Sequence, residues 1–223
     1  MKASQLNIRN KAYLMLPIFP LMSVLLPGST TQLKIFEPRY VALLLRCIEN
    51  NETFGLVYCT NQKDEQGTMK RVGCEAFITD HQDMNDGTHK ITVEGGRRFA
   101  LGAIDTHPEG YYCAHVDYMS DTVDVDVEDP AMKVAGEFAT IYEDLLASIE
   151  PDMVRVHLSE DVMPHDSYML LNAMILPDDK RQAFLEIDSV KVRFQQIAEL
   201  LRTEIQTLRF LLAEQDGMSA VTH

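Results

Sequence analysis

Cysteine and histidine are the side chains best suited to chemistry at neutral pH, and they come close together at Cys113 and His115, with His107 just upstream. A thiol attacks a carbonyl carbon only when a base within hydrogen-bond reach takes its proton. Cys113 with His115 or His107 is therefore the pattern a small hydrolase would use. Two residues apart, however, is also plain alternation along one face of a strand. Cys47, Cys59 and Cys74 are widely spaced and include no Cys-x-x-Cys pair, so neither a zinc cluster nor a disulfide scaffold is indicated. Buried, reduced thiols are the expectation. His81, His89, His157, His165 and His223 show no ligand spacing, and no metal or other cofactor is expected. Glu37 and Glu94 lie near arginines and could exchange protons, but structural ion pairs use the same residue types. No Gly-x-x-x-x-Gly-Lys-Ser/Thr phosphate loop occurs, and no Ser-Lys proteolytic pair is discernible. The sequence therefore points away from an enzyme and toward a binding surface.

The bulk properties narrow what could be bound. The 223 residues, 46% hydrophobic and 24% charged, are enough for one large or two small globular units. Residues 1–120 hold 12 Lys+Arg against 13 Asp+Glu, a balance of −1, and residues 121–223 hold 8 against 21, a balance of −13. Binding a phosphate backbone requires concentrated cations, so nucleic acid is not an expected partner. No apolar run reaches the ~20 residues of a membrane span. The apolar segment after Lys2, Arg9 and Lys11 is interrupted by Pro17, Pro20 and Pro27, unlike a secretory signal. Cytoplasmic residence is expected.

The elements that would carry such a surface fall into two halves. Residues 54–59 form a short apolar run, and Val72, Cys74, Ala76 and Ile78 alternate with polar neighbours. Asn85-Asp86-Gly87 reads as a hairpin turn before a second alternating run at His89, Ile91 and Val93. Phe99 to Ala103 and Tyr112 to Tyr118 continue the strand pattern, which suggests a small, partly closed barrel or paired sheets. One helix interrupts this half at Pro38, with Val41, Leu44, Leu45 and Ile48 as its apolar stripe. Residues 121–130 hold five acids and read as a solvated linker. Beyond them the spacing predicts helices over Met132–Leu146, Tyr168–Ile175 after a Ser167 cap, and Lys180–Ile187 after an Asp178 cap. A last long helix begins at Asp188 or Ser189, with Val190, Phe194, Ile197, Leu201, Ile205, Leu208 and Leu212 three and four apart.

Several stretches together resemble one family. Residues 14–40 alternate apolar runs with Pro and Gly breaks and enter a helix through Phe36-Glu37-Pro38-Arg39-Tyr40. Phe54-Gly55-Leu56-Val57, Arg71-Val72-Gly73-Cys74-Glu75-Ala76 and Val93-Glu94-Gly95-Gly96-Arg97-Arg98-Phe99 follow in order, then Leu176-Pro177 before the helix at Lys180–Glu186. This series resembles the amino-terminal, substrate-binding domain of Lon proteases over roughly residues 14–212. Cys74-Glu75 and the acidic linker depart from the family pattern.

The resemblance implies an α+β protein: a mostly antiparallel, PUA-like pseudo-barrel with one helix over residues 1–120, an acidic linker at 121–130, an α-helical bundle at 131–216 and a tail at 217–223. It further implies a stand-alone, non-catalytic module that recognises unfolded or client protein segments and works beside a protease or chaperone. The PUA-like fold alone leaves RNA binding as an alternative, and an unrecognised hydrolase site as another. In the Pro20–Pro27 segment most apolar residues are expected to pack inward. Met22 and Leu25 remain partner-facing candidates, with Phe54 beside them. Arg39 and Arg98, at matched motif positions, either clamp a peptide or carboxylate or tie helix to sheet through carbonyls and Glu37. The Ser189–Leu212 helix could support a homodimer.

Overall fold

The computed structural model describes residues 15–126, 129–149 and 163–221. Six strands, β1 (Met15–Leu21), β2 (Thr30–Ile35), β3 (Phe54–Tyr58), β4 (Val72–Asp83), β5 (His89–Thr106) and β6 (Tyr112–Tyr118), lie in the order β2-β5-β4-β3-β1-β6. A further β5–β6 pairing joins the sheet to itself, so five strands close into a ring and β2 hangs on its outside. The length of β5 makes this possible. Its first third pairs with β2 through Thr30↔Glu94 to Ile35↔His89, and its last third pairs with β6 through Phe99↔Tyr118 to Thr106↔Tyr112. All pairings are antiparallel except β1–β3.

The prolines of β1 fit because its two halves have different partners. Met15–Ile18 pairs with β6, and Ile18–Leu21 pairs with β3. Pro17 and Pro20 therefore each need a ladder bond on one side only.

Phe99 fills the ring with Leu16, Ile18, Val57, Ala114 and Val116. A Cβ at Gly55 would stand 2.6 Å from the Phe99 ring, and one at Gly73 would stand 2.5 Å from it. The glycines of two separate sequence motifs thus make room for the aromatic side chain of a third. The Gly95-Gly96 pair sits where the β4–β5 register slips between Cys74 and Ala76, a bulge. A Cβ at Gly95 would meet the Leu26 carbonyl oxygen at 2.1 Å.

Helix α1 (Pro38–Asn50) caps one end of the ring by burying Tyr40, Leu43, Leu44 and Cys47. The expected stripe of Val41, Leu44, Leu45 and Ile48 is thus rotated. Leu45 and Ile48 are 41% and 38% exposed. The helix is apolar on both flanks, and the sheet takes the flank with Tyr40, whose ring meets Phe19 at 4.3 Å. A short helix α2 (Glu65–Thr68) precedes β4.

The second half is helical: α3 (Pro130–Ile149), α4 (Ser167–Ala173), α5 (Asp178–Leu185) and α6 (Val190–Val221). Ser189 Oγ caps α6 by accepting from Val192 N at 3.0 Å. Phe194, Ile197, Leu201 and Ile205 pack with Met132, Ala135, Ala139 and Tyr142 of α3. Val24, Leu26 and Val72, from the strand half, complete this second core.

The acidic segment is less solvated than its composition suggests. Asp124 accepts from Ser189 Oγ and Lys191 N, and Asp129 from Lys191 Nζ at 3.1 Å. Asp121 bridges two buried arginines. Arg98 of β5 donates to its Oδ1 at 2.6 Å, and Arg193 of α6 to its Oδ2. The same guanidinia hold the Leu185 and Ile187 carbonyls, Ser167 Oγ and Tyr168 OH.

Two substitutions test these packing arguments. Asp121→Asn removes the charge shared by two buried guanidinia and is expected to cost about 2–4 kcal/mol in urea unfolding. Gly73→Ala should cost about 1–3 kcal/mol through the clash with Phe99. A loss below about 0.5 kcal/mol at either position would contradict the corresponding contact.

Candidate functional site

The thiols fail as nucleophiles for a shared reason. All four are free and buried. Burial raises Cys113 above the ordinary thiol range, with Arg46 opposing it only in part, and pushes Cys47 and Cys74 up to about 12. His107 stacks on Tyr111 at 4.3 Å and faces Glu109 at 3.5 Å. Among the described residues no group of three His, Cys, Asp or Glu is placed to hold a metal. Sequence reasoning missed one pairing: His81 Nε2 and His89 Nδ1 stand 3.1 Å apart across β4 and β5, with Asp83 3.7 Å from His89. The Asn85-Asp86-Gly87 turn carried that signal, since it brings β4 back along β5.

Carboxylates and arginines form two braces at the ring. Arg39 grips Glu65 with two bonds of 2.9 Å and Glu37 with bonds of 2.9 and 3.1 Å, while Tyr40 OH donates to Glu65. Burial opposes the Arg39 charge, but the two carboxylates outweigh it and raise its pKa. Nothing in the local sequence marks Glu65 as the partner. Glu75, one of the departures from the family pattern, forms the second brace. It is 4% exposed and accepts from Thr53, Arg97 and Tyr118 at 2.9, 3.1 and 2.8 Å. Arg97 also lies 3.6 Å over the Tyr118 ring. Burial alone would raise the Glu75 carboxyl, but these donors outweigh it and hold it below the usual carboxylate range. Burial and Glu75 together push Tyr118 up to about 12.

The expected site residues do not converge. Met22 is 50% exposed. Leu25, expected to be exposed, is instead 4% exposed, because the Pro20–Pro27 segment folds back under Gly95 and buries it with Ile35 and Tyr40. Phe54 is 1% exposed and stacks toward Phe19 at 6.3 Å. Arg98 is 3% exposed, with its fork occupied by Asp121 and two carbonyls, and Arg39 is occupied by Glu37 and Glu65.

The open apolar surface lies instead on the outer flank of α1. Val41, Leu45 and Ile48 follow one another along it at helical spacing, and Phe36, 65% exposed, stands just before the helix. Phe36, Val41, Ala42 and Leu45 line a groove of about 600 Å³, closed by Gly87 of the β4–β5 turn and Glu109 of the β5–β6 turn. Beyond Ile48 a neighbouring depression includes Phe77, 44% exposed. The sequence signal was present, since α1 has more apolar residues than one buried face can use.

Residues 15–203 match the family described as the ATP-dependent protease La (LON) substrate-binding domain. A solved Lon N-terminal domain protein from Xanthomonas campestris is 28% identical, with a TM-score of 0.64 over 82% of this chain and 96% of that one. The N-terminal domain of Mycobacterium avium complex Lon protease shares the fold at 15% identity and TM-score 0.65, over 84% of this chain and 98% of that one. Lon protease 3 of Sorangium cellulosum is 24% identical over 85% of this chain, which spans only 23% of that protein.

Two measurements check the electrostatics. With iodoacetamide at pH 8 the native protein should label none of its four thiols within minutes, and all of them in urea. For Glu75 the lowered folded value means its stabilisation is present above the ordinary carboxyl pKa of about 4.3. It is lost as pH falls through the lowered value. The stability deficit of Glu75→Gln should therefore be full at pH 7 and shrink below about pH 4, as read from urea midpoints.

Proposed function

Because the chain belongs to the Lon substrate-binding domain family, we propose that it is a non-catalytic recognition module that holds exposed apolar segments of client proteins. One observation carries this reading. An apolar row of Val41, Leu45 and Ile48 on a helix whose other flank is already spent on the core, with Phe36 just before it, runs beside an open groove lined by Phe36, Val41 and Leu45. Isolated exposed hydrophobes are ordinary, but a contiguous row beside a groove marks an interaction surface. An extended or helical client segment would place apolar side chains along it.

The thiol hydrolase alternative has little support, since every cysteine is buried and shifted away from the thiolate. The RNA-binding alternative is opposed by the net charge of −14, which favours neutral or basic clients instead. Work beside a protease or chaperone, in the cytoplasm, belongs to this proposal; four free thiols suit a reducing compartment. So does a homodimer through Ser189–Leu212, for which Phe210 and Leu211, 62% and 45% exposed in the second half of α6, offer apolar contacts.

The test is retention of reduced, carbamidomethylated lactalbumin, a permanently unfolded protein, on immobilised chain. Leu45→Asp should lower its affinity by about fivefold or more, the scale of losing one apolar anchor. Stability should move by no more than about 0.5 kcal/mol, because the residue is exposed. Unchanged retention by a folded Leu45→Asp variant would exclude the α1 face as the binding surface.

A further inference from the structure

A second opening, separate from α1, lies between the Pro20–Pro27 segment and the helical half. It has a volume of about 530 Å³, and its lining includes Ser23, Thr30, Thr31, Asn172, Asp178 and Arg181. Arg181 is unlike the other shielded arginines. Arg39 has Glu65, Arg46 has Glu52, and Arg98 and Arg193 share Asp121. The half-buried Arg181 has no ion pair among the described residues, and its Nε is buried with no hydrogen bond. Burial lowers its pKa from the ordinary guanidinium value, with Asp178 offsetting only part. Asp178 lies one helical turn away, but its Oδ1 is bound to Ser23 Oγ at 3.1 Å and Val24 N at 2.8 Å. A buried donor without an acceptor is costly, and a cation without a counter-charge more so.

An unmatched acceptor lines the same opening. Asn172 Nδ2 donates to the Pro27 carbonyl at 3.1 Å, which fixes the amide orientation, and its Oδ1 is left buried without a partner. A ligand matched to both groups would bring an anion for Arg181 and an N–H for Asn172. A phosphate supplies only the first. A dianion would also face Asp178. The opening includes Thr30 and Thr31, the start of β2, the strand on the outer edge of the sheet. Such an edge offers unpaired backbone groups to an extended chain.

We propose that this opening takes the free carboxyl end of an extended peptide, with Arg181 on the terminal carboxylate and Asn172 Oδ1 accepting a backbone N–H. The inference rests on the protein-recognition reading above but uses none of the α1 residues. It gives the module a preference for chain ends, with β2 as the strand along which the preceding residues run.

The experiment follows the Arg181 side-chain Nε–Hε cross-peak of the full chain by NMR, with N-acetyl-dialanine as probe. The free acid should shift that signal saturably. The C-terminal amide should bind about tenfold more weakly or less, as expected for loss of a charge-assisted bond. Arg181→Lys removes the signal and thereby assigns it. A Leu45→Asp chain should titrate as wild type, so loss of the α1 surface and loss of this one are told apart. An equal response to the amide, an equal response to inorganic phosphate, or no shift at tens of millimolar acid would each overturn the proposal.

Discussion

Asp121 sets the relation between the two halves of the molecule. Its carboxylate is shared by Arg98 from β5 and Arg193 from α6, with Asp188 also 3.3 Å from Arg98. Arg98 reaches on to the carbonyls of Leu185 and Ile187 at the end of α5, and Arg193 to the Ile187 carbonyl and to Ser167 and Tyr168 at the start of α4. Two buried cations in one place are tolerable only while that carboxylate and those acceptors are all in position. Strand ring, acidic segment and helical bundle are therefore locked in a single arrangement. The surfaces proposed for recognition lie outside this lock, one on α1 and one beside α5.

The ring determines which side chains are left for binding. Its interior is filled by Phe99, and α1 closes one end with its Tyr40 flank. What α1 has in excess, Val41, Leu45 and Ile48, is thereby turned outward. The arginines suggested by motif position are consumed by structural partners instead. Among the described residues Arg181, in the Lys180–Glu186 stretch, is a shielded arginine whose Nε is buried without a partner.

Much of the fold was legible from residue spacing, because alternation and turn residues are local. The Asn85-Asp86-Gly87 hairpin, the entry to α1 at Pro38 and the α6 cap at Ser189 all depend on neighbours in sequence. The orientation of α1 was not legible, since Val41, Leu45 and Ile48 look as buryable as Tyr40, Leu43 and Cys47. The outcome depends on the sheet beneath, which contributes Phe19 from far upstream. The burial of Leu25 likewise depends on a carbonyl-to-glycine approach between Leu26 and Gly95. The contacts of Asp121 and Asp129 within the acidic segment were not legible because their partners, Arg98 and Lys191, lie tens of residues away on either side. Glu65 carried no signal as the partner of Arg39, and the Lys180–Glu186 stretch gave no sign that Arg181 would lack one, because pairing between distant residues is set by the tertiary fold.

Val24, Leu26 and Val72 sit in the first half of the chain yet pack among the helices of the second. A junction made in the acidic segment would cut through a shared interior and leave both fragments with raw apolar faces. Anyone grafting this module onto another polypeptide has to move strands and helices as one cassette, and a barrel trimmed of its bundle should be expected to precipitate.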